Sequence, residues 1–71
     1  MKWGRVGDWW GMTGDTGQPL IVVYTKDEQD GNWVVAWFDL PDRAEHIPMT
    51  EKGELELREY LQMKYLLLKE Q

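Results

Sequence analysis

Two neighbouring stretches, residues 20–25 and 32–39, are apolar on both sides when written as extended strands, and this most narrows the folds open to the chain. Successive side chains of a strand point to opposite faces. Trp33, Val35 and Trp37 therefore fall on one side and Val34, Ala36 and Phe38 on the other; Leu20, Val22 and Tyr24 are likewise set against Ile21 and Val23. Both runs are rich in β-branched and aromatic residues, as strands are. The polar residues between them end in Asp30-Gly31, types that tolerate the positive φ of a tight reversal. The expectation is an antiparallel hairpin that needs cover on both faces. One helix can cover one of them. The other must be closed by barrel curvature, by the segment carrying Trp3, Trp9 and Trp10, by a second copy of the chain, or by a partner protein.

The 71 residues fit one domain, 1–71, near the size at which a hydrophobic core yields only about 3–5 kcal/mol of net stability. With no cysteine, neither a disulfide nor a thiolate metal site can add to that core. Five Trp, three Tyr and one Phe can, since each aromatic buries roughly 150–250 Å².

The flanking sequence supplies the remaining elements. Residues 3–12 mix aromatics with Gly4, Gly7 and Gly11, which suits one bent or bulged strand. Residues 13–19 are rich in turn formers and residues 40–43 carry Pro41 and Asp42, so both read as connections. Residues 44–49 make a short edge strand ended by Pro48. Thr50 is a suitable N-cap, and residues 54–69 lack Pro and Gly, giving one substantial helix. At 100° per residue, Leu57, Tyr60, Leu61, Tyr65, Leu67 and Leu68 form a broad apolar side on which the Lys64 stem also lies. Leu55, Met63 and Leu66 fall opposite, among charges. The expected fold class is α+β, an antiparallel sheet of three to four strands followed by one C-terminal α-helix. Residues 32–49, a Trp-rich strand, an Asp-containing turn and then Glu45-His46-Ile47-Pro48 leading to a helix, resemble the later strands of SH3-like small barrels. The resemblance implies a partly open barrel and carries over no functional residue.

Most catalytic chemistries find no footing in these residues. There is no Ser and no Cys, which removes the familiar nucleophilic triads. His46 is the single histidine, too few for a zinc site, and reads as an edge-strand residue. A calcium loop placing Gly31 sixth puts Lys26 first and Trp37 twelfth, where oxygen ligands belong. No Gly-Lys-Ser/Thr segment follows the glycines, and Glu54 with Arg58 reads as an i,i+4 surface pair. The chain is expected to be non-enzymatic, with no catalytic residue, metal or cofactor.

A net charge of −5 disfavours nucleic acid or an anionic membrane surface as partner and suits a basic protein surface; nucleic-acid mimicry is its extreme form. No stretch has the apolar length of a membrane span or a signal peptide, so the expected compartment is the cytoplasm. The function expected is a protein-binding module or inhibitor acting by surface occlusion, of the kind found among phage and mobile-element accessory proteins, with homodimerisation a further expectation. Trp9 and Trp10 are the expected apolar anchors, Asp27, Glu28 and Asp30 the electrostatic contacts, and Leu55, Met63 and Leu66 a helix interface. The alternative is a single-stranded nucleic-acid-binding domain that stacks bases on its Trp residues.

Overall fold

The computed structural model describes residues 2–13, 21–38 and 44–69. They form strands β1 (Lys2–Val6), β2 (Trp9–Thr13), β3 (Val22–Asp27), β4 (Asn32–Trp37) and β5 (Ala44–Pro48), then helix α1 (Glu54–Lys69). The strands make one antiparallel sheet in the order β1-β2-β3-β4-β5. The α+β class therefore holds, but with five strands rather than three to four. The difference arises between residues 3 and 12, expected as one bent strand. Gly7 takes φ 62°, a left-handed conformation that glycine reaches without the Cβ penalty, and the chain reverses so that Val6 pairs with Trp9 and Trp3 with Met12. A hairpin replaces a bend.

Among the described residues each strand pairs only with its sequence neighbours, and β1 and β5 are the two edges. The sheet is open where the resemblance to small barrels implied partial closure. The expected hairpin is formed as β3 and β4, with Asp27 opposite Asn32. Its loop is held by the Gly31 amide donating to the Asp27 carbonyl at 2.8 Å, by the Asp30 amide donating to Asp27 Oδ1 at 3.3 Å, and by Gly31 at φ 70°. The connections at 14–20 and 39–43, including the expected turns there, lie outside the described residues.

Thr50 does not cap the helix. It lies in a turn after β5, where the amides of Glu51 and Lys52 donate to the Pro48 carbonyl at 3.0 and 3.4 Å. The first helical bond runs from the Leu57 amide to the Gly53 carbonyl at 2.9 Å, so Gly53 takes the capping position. Glu54 and Glu56 lie in the first turn, where carboxylates oppose the positive end of the helix dipole.

The register places the core. Met12, Val22, Tyr24, Trp33, Val35 and Trp37 form one sheet face and are buried against Leu57 and Leu61 of α1, with Tyr60, Tyr65 and Leu68 packed around them. Burying each helix leucine contributes about 1.5–3 kcal/mol. Leu67, expected on this side, is 61% exposed: it sits on the helix flank beyond the sheet's reach. No helix among the described residues is long and apolar enough to cross a membrane.

Candidate functional site

The helix-covered face holds the densest group of polar and aromatic side chains. Arg58, one turn into α1, sets its guanidinium 5.1 Å from the Trp10 ring centroid, 5.5 Å from Trp3 and 5.8 Å from Tyr24. Its Nε donates to the Tyr24 hydroxyl at 2.6 Å, and that hydroxyl donates to Glu54 Oε2 at 2.9 Å. Tyr24 also meets Trp3 and Trp33 edge-on, with both centroid separations 5.6 Å. Burial is the main reason the Tyr24 hydroxyl is pushed up to about 12; the Arg58 hydrogen bond opposes the shift and Glu54 adds to it. Sequence reasoning placed Arg58 in a plain surface pair with Glu54. That contact exists at 3.7 Å but is the least of what Arg58 does. The available signal was the position of Arg58 beside the apolar stripe in a chain with five tryptophans.

Next to this group a cleft of about 280 Å³ is lined by Trp10, Tyr24 and Trp33 together with Asp8, Glu54, Thr25 and Lys26. Aromatic walls and carboxylates are the recipe for binding a cation. The chain supplies its own: Arg58 and Arg5 lie over Trp10, and Lys26 lies over Trp33 at 5.6 Å. The rings are thus already engaged and the cleft acts as an internal clasp between sheet and helix. A second clasp lies further along α1. Lys64 donates to Glu45 Oε1 and, at 3.2 Å, to the Tyr60 hydroxyl, which itself donates to Glu45 Oε2 at 3.2 Å. Desolvation alone would lower the Lys64 pKa, but the hydrogen bonds that the ammonium donates to Glu45 and Tyr60 outweigh it and raise it. The Lys64 ammonium also lies over Trp37 at 5.9 Å.

Among the described residues no helix lies on the opposite sheet face. Val6, Trp9, Val23, Ala36 and Phe38 line an open, almost wholly apolar depression of about 230 Å³. The register explains its shape. Gly4, Gly11, Val23, Ala36 and Ala44 stand opposite one another across the five strands, a row of small residues. Trp9 rises on one side of that row and Phe38, 56% exposed, on the other. A Cβ added to Gly4, at the edge of the row, would meet nothing within 4 Å, whereas Val23 at its centre is only 6% exposed.

The sequence candidates separate accordingly. Trp9 stands on the open face, whereas Trp10 packs against the core beneath Arg58. Glu28 and Asp30 are exposed at the β3–β4 tip, while Asp27 is half-buried and accepts the Asp30 amide. Leu55, Met63 and Leu66 are exposed on the outer side of α1, joined by Leu67. His46 is exposed on β5, and among the described residues no three His, Asp or Glu side chains gather as a metal site would require. Phe38 and the small-residue trough were not singled out from sequence, because their juxtaposition depends on pairing across all five strands. Comparison with protein-family models, curated proteins and solved structures finds no match for this chain.

Proposed function

We propose that this chain is a small non-enzymatic protein-binding module that acts by covering a partner's surface, with the open sheet face as its contact surface. One observation carries the reading: the strands are apolar on both sides, α1 covers one, and the other presents Trp9 and Phe38 around an uncharged depression. A charge-depleted centre with an aromatic anchor is the usual composition of an interface core. The exposed carboxylates of Glu28 and Asp30 lie at the end of the sheet where Trp9 begins β2, since Trp10 pairs with Tyr24. There they would form an acidic rim, which favours a partner with a basic margin and speeds its encounter.

The single-stranded nucleic-acid reading draws less support. Four of the five tryptophans, Trp3, Trp10, Trp33 and Trp37, belong to the helix-covered side, and Arg5, Lys26, Lys52, Arg58 and Lys64 each lie over a ring of the chain itself. Stacking needs free rings beside a basic groove.

The test is affinity capture with the tagged chain, comparing wild type with Trp9→Ala, Phe38→Glu and Leu55→Ala while circular dichroism reports folding. The expected result is a captured protein that the first two variants lose and Leu55→Ala keeps. Equal capture by all four folded proteins would refute the assignment to this face.

A further inference from the structure

We infer that, without a foreign partner, the open sheet face is covered by a second copy of this chain, the two sheets packing face to face about a two-fold axis. The inference rests on the binding surface proposed above and names its first occupant.

The size of the face is the first support. Five strands about 4.8 Å apart and roughly 3.3 Å per residue along five-residue strands give a plan area of about 400 Å². Side-chain relief enlarges the accessible area, so two such faces together hide on the order of 1,000 Å², the lower bound for a specific interface. Adding a second apolar layer also relieves the shortage of core in a 71-residue chain.

Shape is the second. A two-fold axis lying in the face and passing through Val23 can run along β3 or along the row of small residues. In the first case each Trp9 meets Val34 of the other copy and each Phe38 meets Thr13; in the second the pairs exchange, Trp9 with Thr13 and Phe38 with Val34. These positions follow from the pairing of Gly11 with Val23, Val23 with Ala36 and Thr25 with Val34, and from the Phe38 amide bonding to the Ile21 carbonyl at 3.0 Å. Either way a large side chain opposes a smaller one, which is the self-complementarity an isologous interface needs. Both axes keep the strands of the two sheets aligned, as in sandwiches.

Charge is the third. Two copies carry −5 each, so their long-range interaction is repulsive. The face carries few charges of its own: Glu45 lies on the helix side, while Lys2 and Asp27 stand at its margins, Asp27 at the hairpin end. Salt screens the remote charges over about 8 Å at physiological ionic strength without weakening apolar contact. Self-association should therefore tighten as salt rises, whereas binding to a basic partner should weaken. The outer side of α1 is a poorer site for a second copy, because Glu59 interrupts the path from Leu55 to Met63.

Sedimentation equilibrium of the full chain, from about 1 to 500 µM at low and high salt, tests this; the range covers the micromolar Kd expected of a weak contact at the low end of interface sizes. The expected result is a monomer–dimer equilibrium at least about threefold tighter at high salt. Phe38→Glu and Gly4→Val should each weaken it at least about tenfold with unchanged circular dichroism; the valine has space in the monomer but fills the trough. A wild type that stays monomeric at every concentration would overturn the inference, as would a dimer that both variants leave intact. If the monomeric protein still captures another protein through Trp9 and Phe38, the binding surface stands and only its self-occupancy falls. If it captures none, both fall together.

Discussion

Replacing Arg58 with methionine keeps a long apolar stem and removes the guanidinium, so it isolates the clasp that joins α1 to the first three strands. The guanidinium lies 5.1–5.8 Å from three ring centroids, and its side chain is 25% exposed. A partly solvated cation–π contact contributes about 0.5–1 kcal/mol, and one cation shared by three rings does not deliver three full contacts; about 1–1.5 kcal/mol is reasonable for the set. Loss of the 2.6 Å hydrogen bond to Tyr24 adds about 1–1.5 kcal/mol, because the buried phenol oxygen loses its donor. The ion pair with Glu54 at 3.7 Å adds only about 0.3 kcal/mol in so exposed a setting. The expected destabilisation is about 2–3 kcal/mol. Urea unfolding followed by tryptophan fluorescence and far-ultraviolet circular dichroism reads it directly: with a slope near 1 kcal/mol per molar urea, the midpoint falls by about 2–3 M. Arg58→Lys should recover less than half of the loss, since an ammonium lacks the planar fork that stacks while donating to Tyr24. A methionine variant within about 0.5 M of wild type, or a lysine variant equal to wild type, would refute the role given to the guanidinium.

Other outcomes follow from the same contacts. Leu61→Ala, at a fully buried position, should cost about 2–4 kcal/mol, most of the stability of so small a core, whereas exposed Leu66→Ala should stay within about 0.5 kcal/mol; thermal melts distinguish them. Because the Tyr24 hydroxyl is raised from 10.0 to about 12, its contribution is complete below the unfolded value and is lost as pH rises through the folded one. Over that window wild type should lose about 1 kcal/mol more than Tyr24→Phe in urea titrations, after allowance for solvent screening, and equal slopes would exclude Tyr24 as the cause. Glu45→Ala should cost about 1–2 kcal/mol by leaving Lys64 and Tyr60 without their acceptor, and Glu45→Gln should recover part of it. Gly7→Ala should cost about 1 kcal/mol through the strained φ of the β1–β2 turn, although its Cβ has free space, and a neutral result would contradict that backbone assignment.

Some of this structure could be read from the chain itself. The β3–β4 hairpin, its turn at Gly31 and the span of α1 rest on local signals: period-two patterning, a residue type that tolerates positive φ, and sixteen residues without a helix breaker. The two-sided apolarity of 20–25 and 32–39 also implies, from the chain alone, that one helix is insufficient. The first hairpin was less legible, since Gly7 serves a bend as readily as a reversal and only the pairing of Val6 with Trp9 decides between them.

Which tryptophan goes where was decided by the tertiary structure. Trp9 and Trp10 are adjacent and alike in sequence, yet the sheet turns one to an open face and the other beneath Arg58. The same pairing carried Arg58 from a surface ion pair into an aromatic clasp and aligned the small residues of five strands into one trough. Alternation along a strand is a property of neighbouring residues. Burial depends on which distant segment lies alongside and on which side the single helix closes, and neither is encoded within any one stretch of the chain.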